Sequence, residues 1–108
     1  MKIYGISGLG ADERVFQYLE IGEEIEVLKW IVPEKNENIV AYSKRLANQI
    51  NTKEDFILIG VSFGGMIAVE LGKIINPEKI ILISSAETKN ELRSIYGLFG
   101  KTLSLIHI

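Results

Sequence analysis

The stretch that decides the fold is Asp55-Phe56-Ile57-Leu58-Ile59-Gly60-Val61-Ser62-Phe63-Gly64-Gly65-Met66-Ile67-Ala68-Val69-Glu70-Leu71-Gly72-Lys73-Ile74-Ile75. Asp55–Gly60 reads as a strand, because its apolar run is continuous, the pattern of a strand buried on both faces of a parallel sheet. Phe63–Ile75 reads as a helix, closed by Asn76-Pro77, where proline forbids continuation. Glu70 and Lys73 are its only charged residues, so it is expected to be deeply buried. Between them lies a sharp turn rich in glycine. A strand, a tight turn and a helix make one half of a parallel crossover unit.

The chain on either side repeats this unit. Lys2–Ser7 reads as a strand running into the turn Gly8-Leu9-Gly10. Asp12 can cap a helix with Val15, Phe16 and Leu19 on its apolar face. Ile25–Val32 reads as a second strand, stopped by Pro33. Asn38 can cap the next helix, whose face is Ile39, Tyr42, Leu46 and Ile50. Lys79–Ser84 reads as a fourth strand, and Asn90–Ser104 as a helical segment interrupted by Gly97 and Gly100. Alternation of this kind predicts an α/β fold: a parallel sheet with helices on both faces. No linker or repeat divides it, so residues 1–108 are expected to be a single domain. Ligands of such sheets bind at the carboxyl ends of the strands. Two glycine-bearing turns fall there, Ser7–Asp12 and Gly60–Gly65.

Composition narrows the function classes. Hydrophobic residues make up 47% and charged residues 24%, a balance that supports a packed core. Twelve basic and fourteen acidic residues leave a net charge of −2 with no basic stripe, so neither nucleic acid nor a membrane surface is an expected partner. Cysteine is absent, which excludes disulfides and thiolate metal sites; with one histidine, His107, no histidine metal cluster is expected. No metal and no cofactor is implied. Met1–Gly5 has no long apolar run of the secretory type, and the apolar runs are too short to span a bilayer. The cytoplasm is the expected compartment.

Gly60-Val61-Ser62-Phe63-Gly64 matches the G-x-S-x-G pattern of a nucleophile elbow. The chemistry needs these residue types at this spacing. The serine stands on a turn so sharp that strand and helix nearly touch, and side chains two positions before and after it would collide. Glycine at 60 and at 64 removes those side chains. The turn lifts the hydroxyl above the sheet edge, at a helix N-terminus whose dipole favours developing negative charge. Ser62 is therefore the candidate catalytic nucleophile, and positive φ is expected there.

With these residues in view, the chain resembles the α/β-hydrolase superfamily, specifically its small bacterial esterase-like members. The resemblance runs through Gly8-Leu9-Gly10-Ala11-Asp12-Glu13-Arg14-Val15-Phe16, Gly60–Gly65 with its helix, and Ile80-Ile81-Leu82-Ile83-Ser84-Ser85. It implies a sheet of about four strands in the order 2-1-3-4. It implies an oxyanion hole made by the amides of Leu9 and Phe63, converging near Ser62 Oγ. Each such donor contributes roughly 2.7–4 kcal/mol of barrier lowering. Where the family usually has histidine before the first turn's glycine, this chain has Ser7. The implied partner is a small-molecule acyl substrate.

The family's order is serine, then acid, then histidine. The resemblance places the last two beyond residue 108, with the chain an N-terminal portion ending in the lid region and nearly inactive alone. His107 reads as a tail histidine, Glu87 as a solvated loop residue, and Ser84 and Ser85 as the end of a strand. Two other classes compete with this reading. Gly5-Ile6-Ser7-Gly8-Leu9-Gly10 loosely matches a dinucleotide-binding turn, but Lys29-Trp30-Ile31-Val32 offers no acid for a ribose hydroxyl. A non-catalytic, truncated or degenerate hydrolase acting as a binding or interaction protein is the other. The outer edge of Ile80–Ile83, apolar and without proline, is expected to self-associate or to be covered by Leu103–Ile108.

Overall fold

The computed structural model describes residues 1–7, 24–61, 63–84 and 103–107. Its elements are β1 (Lys2–Ile6), β2 (Ile25–Val27), α1 (Ile39–Leu46) with a 3₁₀ turn (Ala47–Gln49), β3 (Phe56–Val61), α2 (Phe63–Ile74), β4 (Lys79–Ser84) and β5 (Leu103–His107). The strands form one sheet in the order β2-β1-β3-β4-β5, and every neighbouring pair is parallel. The order 2-1-3-4 implied by the resemblance is present, with a fifth strand along the outer edge of β4.

Period-two alternation assigns each strand residue to a face. Tyr4, Ile6, Phe56, Leu58, Ile80 and Leu82 join one buried cluster with Tyr42 and Leu46 of α1 and Ile67, Ala68 and Leu71 of α2. Ile3, Ile59, Val61 and Ile83 form a second cluster from the alternate positions. The continuous apolar run of β3 thus has both faces buried, as its sequence required. Each fully buried Leu, Ile or Phe contributes roughly 1.5–3 kcal/mol of hydrophobic stabilisation. The helix expected after Asp12 lies outside the described residues.

Helix α1 begins where its cap predicts. Asn38 is extended, and its Oδ1 accepts from the Ala41 amide at 2.8 Å. Lys44 and Arg45 occupy the last turn, where the helix dipole favours cations. The expected apolar face is only partly helical: the α-helix ends at Leu46, and Ile50 is buried from an extended conformation.

Two boundaries differ from the sequence reading. The second strand ends at Val27 rather than Val32. The Leu28 amide still donates to Gly5 at 2.8 Å, but beyond it side chains take the place of a strand neighbour. The Gln49 amide group accepts from the Lys29 N–H at 2.9 Å and donates to the Lys29 carbonyl at 2.8 Å. The Tyr42 hydroxyl does the same for Ile31, at 3.0 and 2.8 Å. These bonds satisfy the backbone of Lys29 and Ile31 and strap this segment onto α1 and the 3₁₀ turn that follows it. The second difference concerns Leu103 and Ser104, expected at the end of a helix. Both belong to β5, whose register pairs Ile80 with Leu103 and Ser84 with His107. An unpaired parallel edge is a template for any extended segment in reach. Residues 90–102 lie outside the described set.

Among the described residues, no helix is long and apolar enough to cross a membrane.

Candidate active site

The site is built where β1 and β3 end and α2 begins. β1 delivers Ile6 and Ser7; β3 delivers Gly60 and Val61; α2 starts at Phe63. Register holds Ile6 beside Gly60, so the two strands reach the carboxyl edge together. Both glycines flanking Ser62 are forced by packing. A β-carbon on Gly60 would stand 2.6 Å from the Gly64 carbonyl oxygen and 2.6 Å from the Gly65 α-carbon. A β-carbon on Gly64 would collide with the Ile6 carbonyl oxygen and stand 2.7 Å from that of Ser7. The atoms in the way are backbone, which cannot rotate aside. Strand β3 therefore folds back tightly onto its helix, and the helix start presses on the end of β1.

The structure thus brings Gly60, Gly64 and Phe63 to one place, against Ile6 and Ser7 at the end of β1. Ser62 and Leu9 lie outside the described residues. The positive φ expected at Ser62 and the convergence of the Leu9 and Phe63 amides lie there with them, as does Glu87.

Around this corner the structure assembles residues that the sequence reading did not group. Ser7 is buried, and its Oγ accepts from Trp30 Nε1 at 3.2 Å. The Trp30 ring stacks between Tyr42, at 5.9 Å between centroids, and Phe63, at 6.3 Å. Interplanar angles of 30° and 26° are close to offset stacking. The Arg45 guanidinium lies over the Tyr42 ring, 5.7 Å from its centroid. A column of Arg45, Tyr42, Trp30 and Phe63 therefore runs from α1 to the first residue of α2. Trp30 stands just past the end of β2, at the carboxyl edge. That position was the available signal for a site residue.

A cavity of about 310 Å³ opens beside this column, walled by Trp30, Ile31, Pro33, Ile39, Phe63 and Ile67. Phe63 and Ile67 are one helical turn apart and share a face of α2. At the cavity lip, Arg45 grips the Glu37 carboxylate with two bonds of 2.6 Å, and its Nη2 donates to the Val32 carbonyl at 3.0 Å. The Glu34 amide also donates to Glu37, at 3.0 Å. Arg45 first, and this amide second, hold the Glu37 carboxyl down at about 2.

The chain finds no match to a family model, to a curated protein or to a solved structure.

Proposed function

We propose that this chain carries the nucleophile and oxyanion donors of a serine hydrolase acting on carboxylic esters or related acyl bonds. Ser62 is the nucleophile, and the amides of Phe63 and Leu9 are the donors. The observation that supports this reading is the packing on either side of Ser62. Neither Gly60 nor Gly64 has space for a β-carbon, and each is blocked by backbone. A loop that merely turns the chain has no need of such an approach at both positions. An elbow that must present a hydroxyl above a sheet edge does.

In this chemistry the Ser62 hydroxyl adds to the acyl carbon and its proton passes to a general base. The Phe63 amide, at the start of α2, donates to the oxyanion with the helix dipole behind it. The collapse of that adduct expels the alcohol, and water then releases the acid from the acyl-serine. The reading assigns the acid and the histidine of the triad to no residue of this chain.

The test is hydrolysis of 4-nitrophenyl acetate. It compares the 108-residue chain with the same reading frame continued past Ile108, each beside its Ser62→Ala variant. The short pair is expected to match, because a serine without a base is a poor nucleophile. In the continued pair Ser62→Ala is expected to lower kcat by at least about 10³-fold. An unchanged rate in that variant refutes the assignment of Ser62.

A further inference from the structure

We propose that the cavity beside Phe63 binds an uncharged aryl or medium-chain aliphatic group, and that this group is the apolar part of the ester. The inference rests on Ser62 as nucleophile and adds the class of substrate.

Position is the first argument. Phe63 directly follows Ser62, and its ring is both a cavity wall and the end of the stacked column. A group seated against Phe63 and Ile67 lies along the first turn of α2, next to the elbow. Size is the second. An apolar cavity of about 150 Å³ holds benzene. The present one, at about 310 Å³, has room for a substituted ring or a chain of several carbons.

The third argument is the state of the polar groups. Trp30 Nε1 is directed at Ser7, and the Tyr42 hydroxyl both accepts from and donates to Ile31. Asn38 Oδ1 caps α1, and both Glu37 oxygens are held by Arg45. Each polar side chain on the wall already makes a hydrogen bond within the chain. A carboxylate or ammonium entering here would lose much of its water against a wall that is mostly apolar, which is costly. A flat apolar group would stack on Trp30 and Phe63 without that loss. The contact surface is also held in place: the Tyr42 and Gln49 bonds fix the backbone on either side of Trp30 before any ligand arrives.

Trp30 is the sole tryptophan, so its fluorescence reports binding independently of turnover. The experiment titrates the full chain with 4-nitrobenzyl alcohol, a neutral quencher, and with 4-nitrobenzoate, its anionic counterpart. Saturable quenching by the alcohol is expected, with the benzoate roughly tenfold weaker or worse because its charge goes unpaired. Phe63→Ala, which removes a wall of the cavity and a stacking face while keeping the backbone amide, should weaken binding of the alcohol about tenfold. Non-saturable quenching, equal affinity for the two probes, or an affinity unchanged in Phe63→Ala overturns the proposal. Saturable, charge-selective quenching without Ser62-dependent hydrolysis in the continued chain keeps the cavity as a binding site and refutes the hydrolase. Ser62-dependent hydrolysis without that quenching refutes the cavity alone.

Discussion

Across the gap between α2 and β1, the α-carbon of Gly64 faces the carbonyl oxygen of Ile6 with no room for a β-carbon between them. Two opposing effects meet in Gly64→Ala. Alanine in a helix is favoured over glycine by about 1 kcal/mol. Against that, overpacking costs roughly 1–3 kcal/mol even where side chains can yield, and here the obstructing atoms are backbone. Gly64→Ala and Gly60→Ala are each expected to destabilise the chain by about 3 kcal/mol or more, or to prevent folding. Urea denaturation followed by Trp30 emission measures this, and a variant as stable as the parent would remove the structural basis of the elbow.

Tyr42→Phe removes one hydroxyl that serves both backbone groups of Ile31. The ring and its stacking on Trp30 survive, so the loss isolates the strap. A destabilisation of about 1–3 kcal/mol is expected, the cost of leaving part-buried backbone groups unpaired. Hydrogen exchange should quicken at the Ile31 amide in particular. Unaltered protection there would mean that the strap does not depend on Tyr42.

Ser43 runs the other way. It is fully buried on α1, and among the described residues its Oγ has no hydrogen-bond partner. Ser43→Ala deletes an unsatisfied hydroxyl and installs a better helix former, so stability should rise by about 1 kcal/mol. A loss of stability in thermal melts would show that the hydroxyl has a role in the fold.

The Glu37 clamp gives a pH dependence of definite sign. The folded carboxyl titrates at about 2, below the ordinary value of 4.5. A lowered folded value means that the native state favours the ionised form, so the clamp contributes in full above about pH 4.5 and is lost as pH falls toward 2. Glu37→Gln should flatten the stability profile within that window and leave its shape above pH 5 unchanged. Identical slopes for parent and variant between pH 4.5 and 2 would show that the Arg45 pair is not formed in solution.

The frame of the candidate site was legible because its signals are local. Asn38 caps α1 through a bond to a residue three positions on, and the glycines at 60 and 64 stand at fixed distances from Ser62 in the chain. The apolar run of β3 announces a strand buried on both faces, and Asn76-Pro77 closes α2 within two residues. The strand order came from the family resemblance, and the structure has it. The strand reading of Leu28–Val32 fails because the segment keeps a strand's composition while the backbone groups of Lys29 and Ile31 bond to Gln49 and Tyr42. Nothing near Lys29 in the chain signals a partner 20 residues away.

The sequence by itself therefore determined the parallel α/β framework and the strand–turn–helix around Ser62, since both follow from periodicity, caps and glycines that act over a few residues. Tertiary structure alone decided what surrounds that turn. Trp30 meets Ser7 across 23 positions of sequence, and it meets Tyr42 and Phe63 from a third segment. The cavity exists only once these segments pack. Its shape depends on side-chain volumes and stacking geometry between residues distant in the chain, and no local pattern encodes such a distance.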